Sequence, residues 1–146
     1  MKFHRDWSWA TWFGTRLAER IETDTNGDRI VVCPVPMHWM RRAGRGYNQA
    51  HLIASALARS RNWPMAPLLR RTRFVRAQTA IAPTRRYVNV RRSFGVRHLD
   101  LTGWSVWLVD DVKTTGATLT SCARLLRGAG ARKINVAVVA VADPRS

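Results

Sequence analysis

The stretch Val106-Trp107-Leu108-Val109-Asp110-Asp111-Val112-Lys113-Thr114-Thr115-Gly116-Ala117-Thr118 constrains this chain more than any other. Trp104 to Val109 is an apolar run that reads as a strand, and Thr118 to Arg127 reads as a helix stopped by Gly128 and Gly130. Ile134 to Ala142 is a second long apolar strand. Upstream, Ile30 to Val35 is a β-branched run suited to a strand buried on both faces, ended by Pro34 and Pro36. His38 to Tyr47 reads as loop, and Asn48 caps a helix expected over residues 49–60, with Leu52, Ile53, Ala56 and Leu57 inward. Shorter strands are expected at residues 66–71 and Ser93–Val96. Strands alternating with helices argue for an α/β fold with a parallel sheet. Residues 7–22 form an amphipathic helix in which Trp9, Phe13, Leu17 and Ile21 recur every four residues as one apolar stripe, leaving Trp7 and Trp12 outside it. A turn-rich stop, Thr23 to Asp28, separates this helix (residues 1–28, packing on the rest) from the body of the domain, residues 29–146. With 146 residues, the two parts make a single domain.

Charge adds a second constraint. Lys and Arg number 25 against 9 Asp and Glu, a net charge of +16. Residues 1–28 are nearly balanced and residues 100–146 carry 6 basic and 4 acidic groups, whereas residues 29–99 hold 15 arginines and no carboxylate. Such a block repels itself unless anions screen it. Phosphorylated ligands or nucleic acid are its natural partners, since the guanidinium fork matches phosphate oxygens; an arginine-biased, solvated surface is the plainer alternative. Other classes are excluded. No run approaches the roughly 18 apolar residues of a membrane span. The N-terminus lacks the apolar region of a signal peptide. Cys33 and Cys122 are too few for a disulfide scaffold and lack zinc-ligand spacing, so a cytoplasmic setting is expected.

The 106–118 segment carries the chemistry. A strand delivers Asp110 and Asp111 to its C-terminal edge, where α/β proteins place ligands. The turn that follows, and the helix N-terminus after it, offer backbone N–H groups to an anion; Gly116 lets the backbone approach a phosphate, and Thr114, Thr115 and Thr118 add hydroxyls. Carboxylates beside a phosphate cradle conflict unless the ligand has hydroxyls close to its phosphate. A ribose 5-phosphate has that shape, with its 2- and 3-hydroxyls on the carboxylates and its phosphate on the turn. Taken singly, Asp110-Asp111 could simply end a strand and Thr114-Thr115 simply start a helix; the thirteen residues together favour a ligand site.

The segment resembles the phosphoribosyl pyrophosphate (PRPP) motif of type I phosphoribosyltransferases. Pro34-Val35-Pro36-Met37-His38, Arg41-Arg42 and Arg45-Gly46-Tyr47-Asn48-Gln49-Ala50 further resemble the ComF/GntX branch of that family, as do Arg73, Gln78-Thr79, Arg85-Arg86, Asn89-Val90 and Phe94. The resemblance covers residues 29–143 and implies a type I phosphoribosyltransferase-like fold with a mobile basic loop at residues 72–92. It implies PRPP contacts from Asp110, Asp111, Lys113, Thr114, Thr115, Gly116, Ala117 and Thr118, and a pyrophosphate loop including Pro36, Met37, His38, Arg41 and Arg42. Arg85 or Arg86 would stabilise departing pyrophosphate, with Mg²⁺ held through the ligand and Asp110 and Asp111.

Two departures stand out. Members of this branch carry a cysteine-rich zinc segment before the transferase part, so a shortened or truncated member is expected. Relatives acting on 6-oxopurines have an aspartate where this chain has Thr114, so that substrate class is not expected. The implied reaction is displacement of pyrophosphate from C1 of PRPP by a nitrogen nucleophile. The alternative is a non-catalytic accessory of competence and DNA uptake that binds single-stranded DNA or DNA-processing proteins. His38, His51 and His98 are scattered and read as structural or exposed.

Overall fold

A computed structural model describes residues 7–22, 27–37, 46–71, 94–97 and 99–143. In chain order the elements are α1 (Ser8–Arg20), β1 (Arg29–Pro34), α2 (Gln49–Arg61), β2 (Leu69–Arg71), β3 (Phe94–Val96), β4 (Trp104–Lys113), α3 (Ala117–Gly128) and β5 (Lys133–Val141). The apolar, β-branched runs pair in the order β1-β4-β5, and both pairings are parallel. On the outer side of β1, Val32 exchanges hydrogen bonds with the segment after α2: its N–H donates to the Pro64 carbonyl and its carbonyl accepts from Ala66. β2 and β3 form a separate antiparallel pair.

Side chains alternate across the sheet, so each strand feeds two cores. Val31, Cys33, Val106 and Leu108 join Leu119, Cys122 and Leu126 of α3, with Leu69 and Phe94 of the β2–β3 pair, on one face. Val32, Val109 and Ala137 join Ile53, Leu57 and Ala58 of α2, with Ala10 and Ala18 of α1, on the other. Helices thus cover both faces, as a parallel sheet requires. Each fully buried Leu, Ile or Val here contributes about 1.5–3 kcal/mol of transfer free energy.

The buried stripe of α1 differs from the expected one. Ala10, Gly14 and Ala18 are buried, while Trp9, Phe13 and Leu17 lie beside them, half-buried. The reason is the closeness of α1 to α2. A Cβ placed on Gly14 would stand 2.5 Å from the Ala56 Cβ and 2.8 Å from the Ile53 carbonyl oxygen, so only small residues fit between the helices. Trp12 is exposed, as expected. Trp7 packs edge-on against Tyr47, ring centroids 4.7 Å apart. In α2, Ile53, Ala56 and Leu57 are buried but Leu52 is only half-buried. β2 is shorter than the run 66–71 that suggested it, β3 is described from Phe94, and Ser93 and the basic 72–92 segment lie outside the described residues.

Candidate functional site

β1 ends where Pro34 pairs with Val109, after which the Val35 N–H donates to the Val109 carbonyl at 2.9 Å. β4 does not stop there, contrary to the expected end at Val109. Its partner β5 is long enough to pair Asp110 with Val138, Val112 with Ala140 and Lys113 with Val141. Asp110 and Asp111 therefore lie on a strand that overhangs its neighbour, at the C-terminal edge of the sheet. By the alternation of the strand, Asp110 follows Val106 and Leu108 toward α3, and Asp111 follows Trp107 and Val109 toward α2. The pair is divided between the two faces. Asp110 Oδ1 accepts from the Asp111 N–H and Asp111 Oδ1 from the Val112 N–H, each at 2.9 Å.

Beyond Lys113 the chain turns through Thr114, Thr115 and Gly116 into α3. Gly116 is the N-cap, with φ 79° and ψ 1°, a left-handed conformation that glycine adopts without cost. The first-turn amides of a helix have no partner within the helix; here the Ala117 N–H is met by Thr115 Oγ1 at 3.3 Å. Thr114 and Thr115 are exposed, and Thr118 is half-buried. Lys113 crosses the turn, its Cε 3.2 Å from where a Gly116 Cβ would lie. Positive helix-end dipole, hydroxyls and one ammonium thus converge on a single turn.

Beneath lie two buried thiols, Cys33 and Cys122. Burial pushes the Cys122 thiol up to about 12, with smaller contributions from Cys33 and Asp110 and an opposing one from Arg71. Burial likewise raises Cys33 to about 11.

A cleft of about 480 Å³ opens beyond the C-terminal end of β1. Two residues of the expected pyrophosphate loop, Pro36 and Met37, line it, together with Tyr47, Asn48 and His51. Asn48 caps α2 by accepting from the Ala50 N–H and also donates to the Val35 carbonyl at 3.1 Å, fixing the wall of the cleft. Arg70, Arg71 and Arg97 complete it. The β2–β3 pairing brings Arg70 and Arg71 beside Arg97, a residue 26 positions away that a linear reading does not connect with them, and His51, expected to be structural or exposed, lies exposed at the cleft. Arg71 lies over the Phe94 ring at 4.9 Å, and Arg97 Nε donates to the Pro67 carbonyl at 2.8 Å. His38, Arg41, Arg42, Arg85 and Arg86 lie outside the described residues. Asp110, Asp111 and Lys113 to Thr118 are brought together at the sheet edge, while Pro36 and Met37 face the neighbouring cleft.

A parallel sheet with carboxylates and a glycine turn at its C-terminal edge has known counterparts. The chain belongs to the phosphoribosyl transferase domain family, whose profile matches residues 14–146. It is similar to competence protein F of Haemophilus influenzae, 34% identical over 108 residues, covering 72% of this chain and 47% of that protein. It is also similar to competence protein ComFC of Bacillus subtilis (34% over 97 residues, 66% and 38%) and to the DNA utilization protein YhgH of Escherichia coli K12 (35% over 112 residues, 75% and 47%). The chain spans about half the length of these relatives or less. Within the type I phosphoribosyltransferases it is thus ComF-like. Glutamine PRPP amidotransferase from B. subtilis shares the fold, with a TM-score of 0.63 at 20% identity over 91% of this chain and 26% of that one. So does the allosteric regulatory enzyme of purine biosynthesis, with a TM-score of 0.61 at 24% identity and the same coverage.

Proposed function

We propose that the β4–α3 turn binds the 5-phosphate of PRPP or a related ribose 5-phosphate, and that Asp110 and Asp111 hold its ribose side. The observation that carries this reading is the left-handed Gly116 at the N-terminus of α3, one turn beyond two carboxylates on an overhanging strand. Backbone N–H groups of the turn would cradle the phosphate, and Lys113 would add charge. Because the strand divides the carboxylates, Asp110 and Asp111 would meet different parts of the ligand instead of both sharing the two ribose hydroxyls.

A magnesium ion fits the donor chemistry, since both carboxylates are hard oxygen donors. Among the described residues no group of three His, Cys, Asp or Glu side chains is placed to hold a metal. The ion would therefore be shared between Asp110 or Asp111 and the ligand's own phosphates, where it would neutralise charge on pyrophosphate. In a transfer reaction the lone pair of a nitrogen nucleophile forms the bond to C1, and the C1–O electron pair leaves with pyrophosphate. Pro36 and Met37 border the cleft into which that group would extend, and Arg70 and Arg71 would lower the energy of its developing charge. Arg41, Arg42, Arg85 and Arg86 are proposed for the same task on the strength of the family resemblance.

Isothermal titration with PRPP and with ribose 5-phosphate, each with Mg²⁺, tests the reading. Asp110→Asn with Asp111→Asn should weaken PRPP binding by at least about 100-fold, the loss of two charge-assisted contacts. Unchanged affinity in the folded double variant overturns it.

A second reading rests on the acid-free block. Residues 29–99 carry far more positive charge than one small anion uses, and three of their arginines line one cleft. The relatives are named for competence and DNA utilization. Single-stranded DNA is the macromolecular ligand this supports, with its phosphates on the arginines.

A further inference from the structure

β1 ends at Pro34, and the next residue, Val35, is still buried. Neither Pro34 nor Pro36 has an N–H, so Val35 supplies the only backbone donor of residues 34–36. Pro36 also biases Val35 toward an extended backbone. Val35 thus has one N–H and one carbonyl to satisfy, and a buried polar group without a partner is destabilising. The N–H goes to the Val109 carbonyl of β4. In a parallel ladder the carbonyl of the same residue accepts from the N–H two positions further along the partner strand, here Asp111. Both ends of that bond are turned elsewhere. The Asp111 N–H donates to Asp110 Oδ1 at 2.9 Å, and the Val35 carbonyl accepts from Asn48 Nδ2 at 3.1 Å. The two strands therefore part at the level of the carboxylates, beside the cleft lined by Pro36, Met37 and Asn48.

We propose that Asn48 is a positioning residue. Its amide takes the place of the Asp111 N–H on the Val35 carbonyl, keeps β1 and β4 from pairing one step further, and holds the cleft open beside Asp110 and Asp111. The choice of ligand rests on the PRPP reading above; the parting of the strands rests on the hydrogen bonds alone. The amide's orientation is fixed, because Oδ1 accepts from the Ala50 N–H at 3.1 Å and only Nδ2 is left to face Val35. Capping α2 needs no more than Oδ1, and serine or aspartate caps as well. Among these capping residues asparagine alone adds a second arm that donates. Without that arm, the buried Val35 carbonyl has the Asp111 N–H as its ladder partner. Taking it up withdraws that N–H from Asp110 Oδ1, draws the overhang of β4 toward β1 and narrows the cleft. The turn after Lys113 lies beyond this step. A ligand reaching from the carboxylates into the cleft is then misplaced, while one that stops at the carboxylates is held nearly as before.

Asn48→Ser keeps the cap and removes the donating arm. Calorimetry with Mg²⁺ should show PRPP affinity lowered at least about tenfold, the effect of a misplaced pyrophosphate, and ribose 5-phosphate affinity within about threefold of wild type. Hydrogen exchange on the ligand-free chain should slow at Asp111, whose N–H moves to a buried carbonyl, and stay unchanged at Val32 in the middle of β1. Equal losses for the two ligands, or no loss, overturn the positioning role, as does exchange at Asp111 that is unchanged or faster. If the wild type binds neither sugar phosphate, the PRPP reading fails, and exchange at Asp111 still decides whether Asn48 holds the strands apart. Should the serine variant misfold, Asn48→Asp retains the cap and the side-chain shape without the donor, and the same slowing at Asp111 is expected.

Discussion

At the N-terminal end of the sheet, Asp28 is tied down by chain segments far away in sequence. Ser105 Oγ donates to its Oδ2 at 3.0 Å, and Arg132 Nη1 donates to its Oδ1 at 2.7 Å. One carboxylate thereby joins the approaches to β1, β4 and β5. At the C-terminal end, Asp110 and Asp111 accept from the amides of their own next residues, and the turn after them presents exposed threonines and a helix N-terminus. The same residue type thus serves as a clasp at one end and as a surface-facing acceptor at the other. The contrast teaches where substitutions should separate stability from binding, and each prediction below is a way to break or sharpen it.

The largest effect is expected at Gly116. Valine there has to adopt φ near +79°, which costs about 1–2 kcal/mol, and its side chain presses on Lys113. It also blocks close approach of a phosphate to the turn. Gly116→Val should therefore weaken ribose 5-phosphate binding by at least about 100-fold, measured by titration calorimetry, while the chain stays folded by circular dichroism. Binding within threefold of wild type would remove the functional contrast between the ends.

The floor of the C-terminal end gives the next effect. Cys33 and Cys122 ionise near 9.0 when exposed, but burial raises them to about 11 and about 12. The unfolded chain therefore loses these protons first as pH rises. Their contribution to stability is complete below pH 9 and is lost between pH 9 and 12, by up to about 1.4 kcal/mol per thiol at pH 10. Urea unfolding of Cys33→Ala with Cys122→Ala should show a flatter decline over that window than the wild type. Parallel declines would mean that the floor admits water.

At the opposite end, Asp28→Ala leaves the Ser105 hydroxyl and the Arg132 guanidinium without that partner. The expected loss is about 1–2 kcal/mol, or roughly 5 °C in Tm for a chain of this size. Ribose 5-phosphate affinity should stay within twofold, because the clasp and the turn occupy opposite ends of β4. A large loss of affinity would show that the two ends are coupled.

How legible these features are in the sequence depends on how local they are. Val106 to Thr118 reads correctly because strand, glycine turn and helix are adjacent in the chain. The extent of β4 does not, because Asp110 and Asp111 look like a strand end and only the long β5 keeps them paired. The buried side of α1 misleads for a similar reason. Trp9, Phe13 and Leu17 make the stronger apolar stripe, but the approach of α2 at Gly14 admits only small side chains. The clasp at Asp28 and the arginine cleft are invisible to a linear reading, since their members stand tens of residues apart.

The smallest predicted effect concerns that cleft, and it separates the two proposed ligands. Arg70 is exposed on the cleft wall and follows the buried Leu69. If single-stranded DNA runs over the arginine block, Arg70→Gln removes one phosphate contact. The slope of log affinity against log salt should then become shallower by about 0.7, with affinity falling only a few-fold at moderate salt. Ribose 5-phosphate has no second phosphate to reach the cleft, so its binding at the β4–α3 turn should not change. If PRPP extends its pyrophosphate toward Pro36 and Met37, as proposed, its affinity should fall slightly more than that of ribose 5-phosphate. Oligonucleotide titrations at four salt concentrations, alongside calorimetry with both sugar phosphates, distinguish the cases. A salt slope unaffected by Arg70→Gln, together with weaker PRPP binding, would assign the cleft to pyrophosphate alone and move any nucleic-acid track elsewhere on the block.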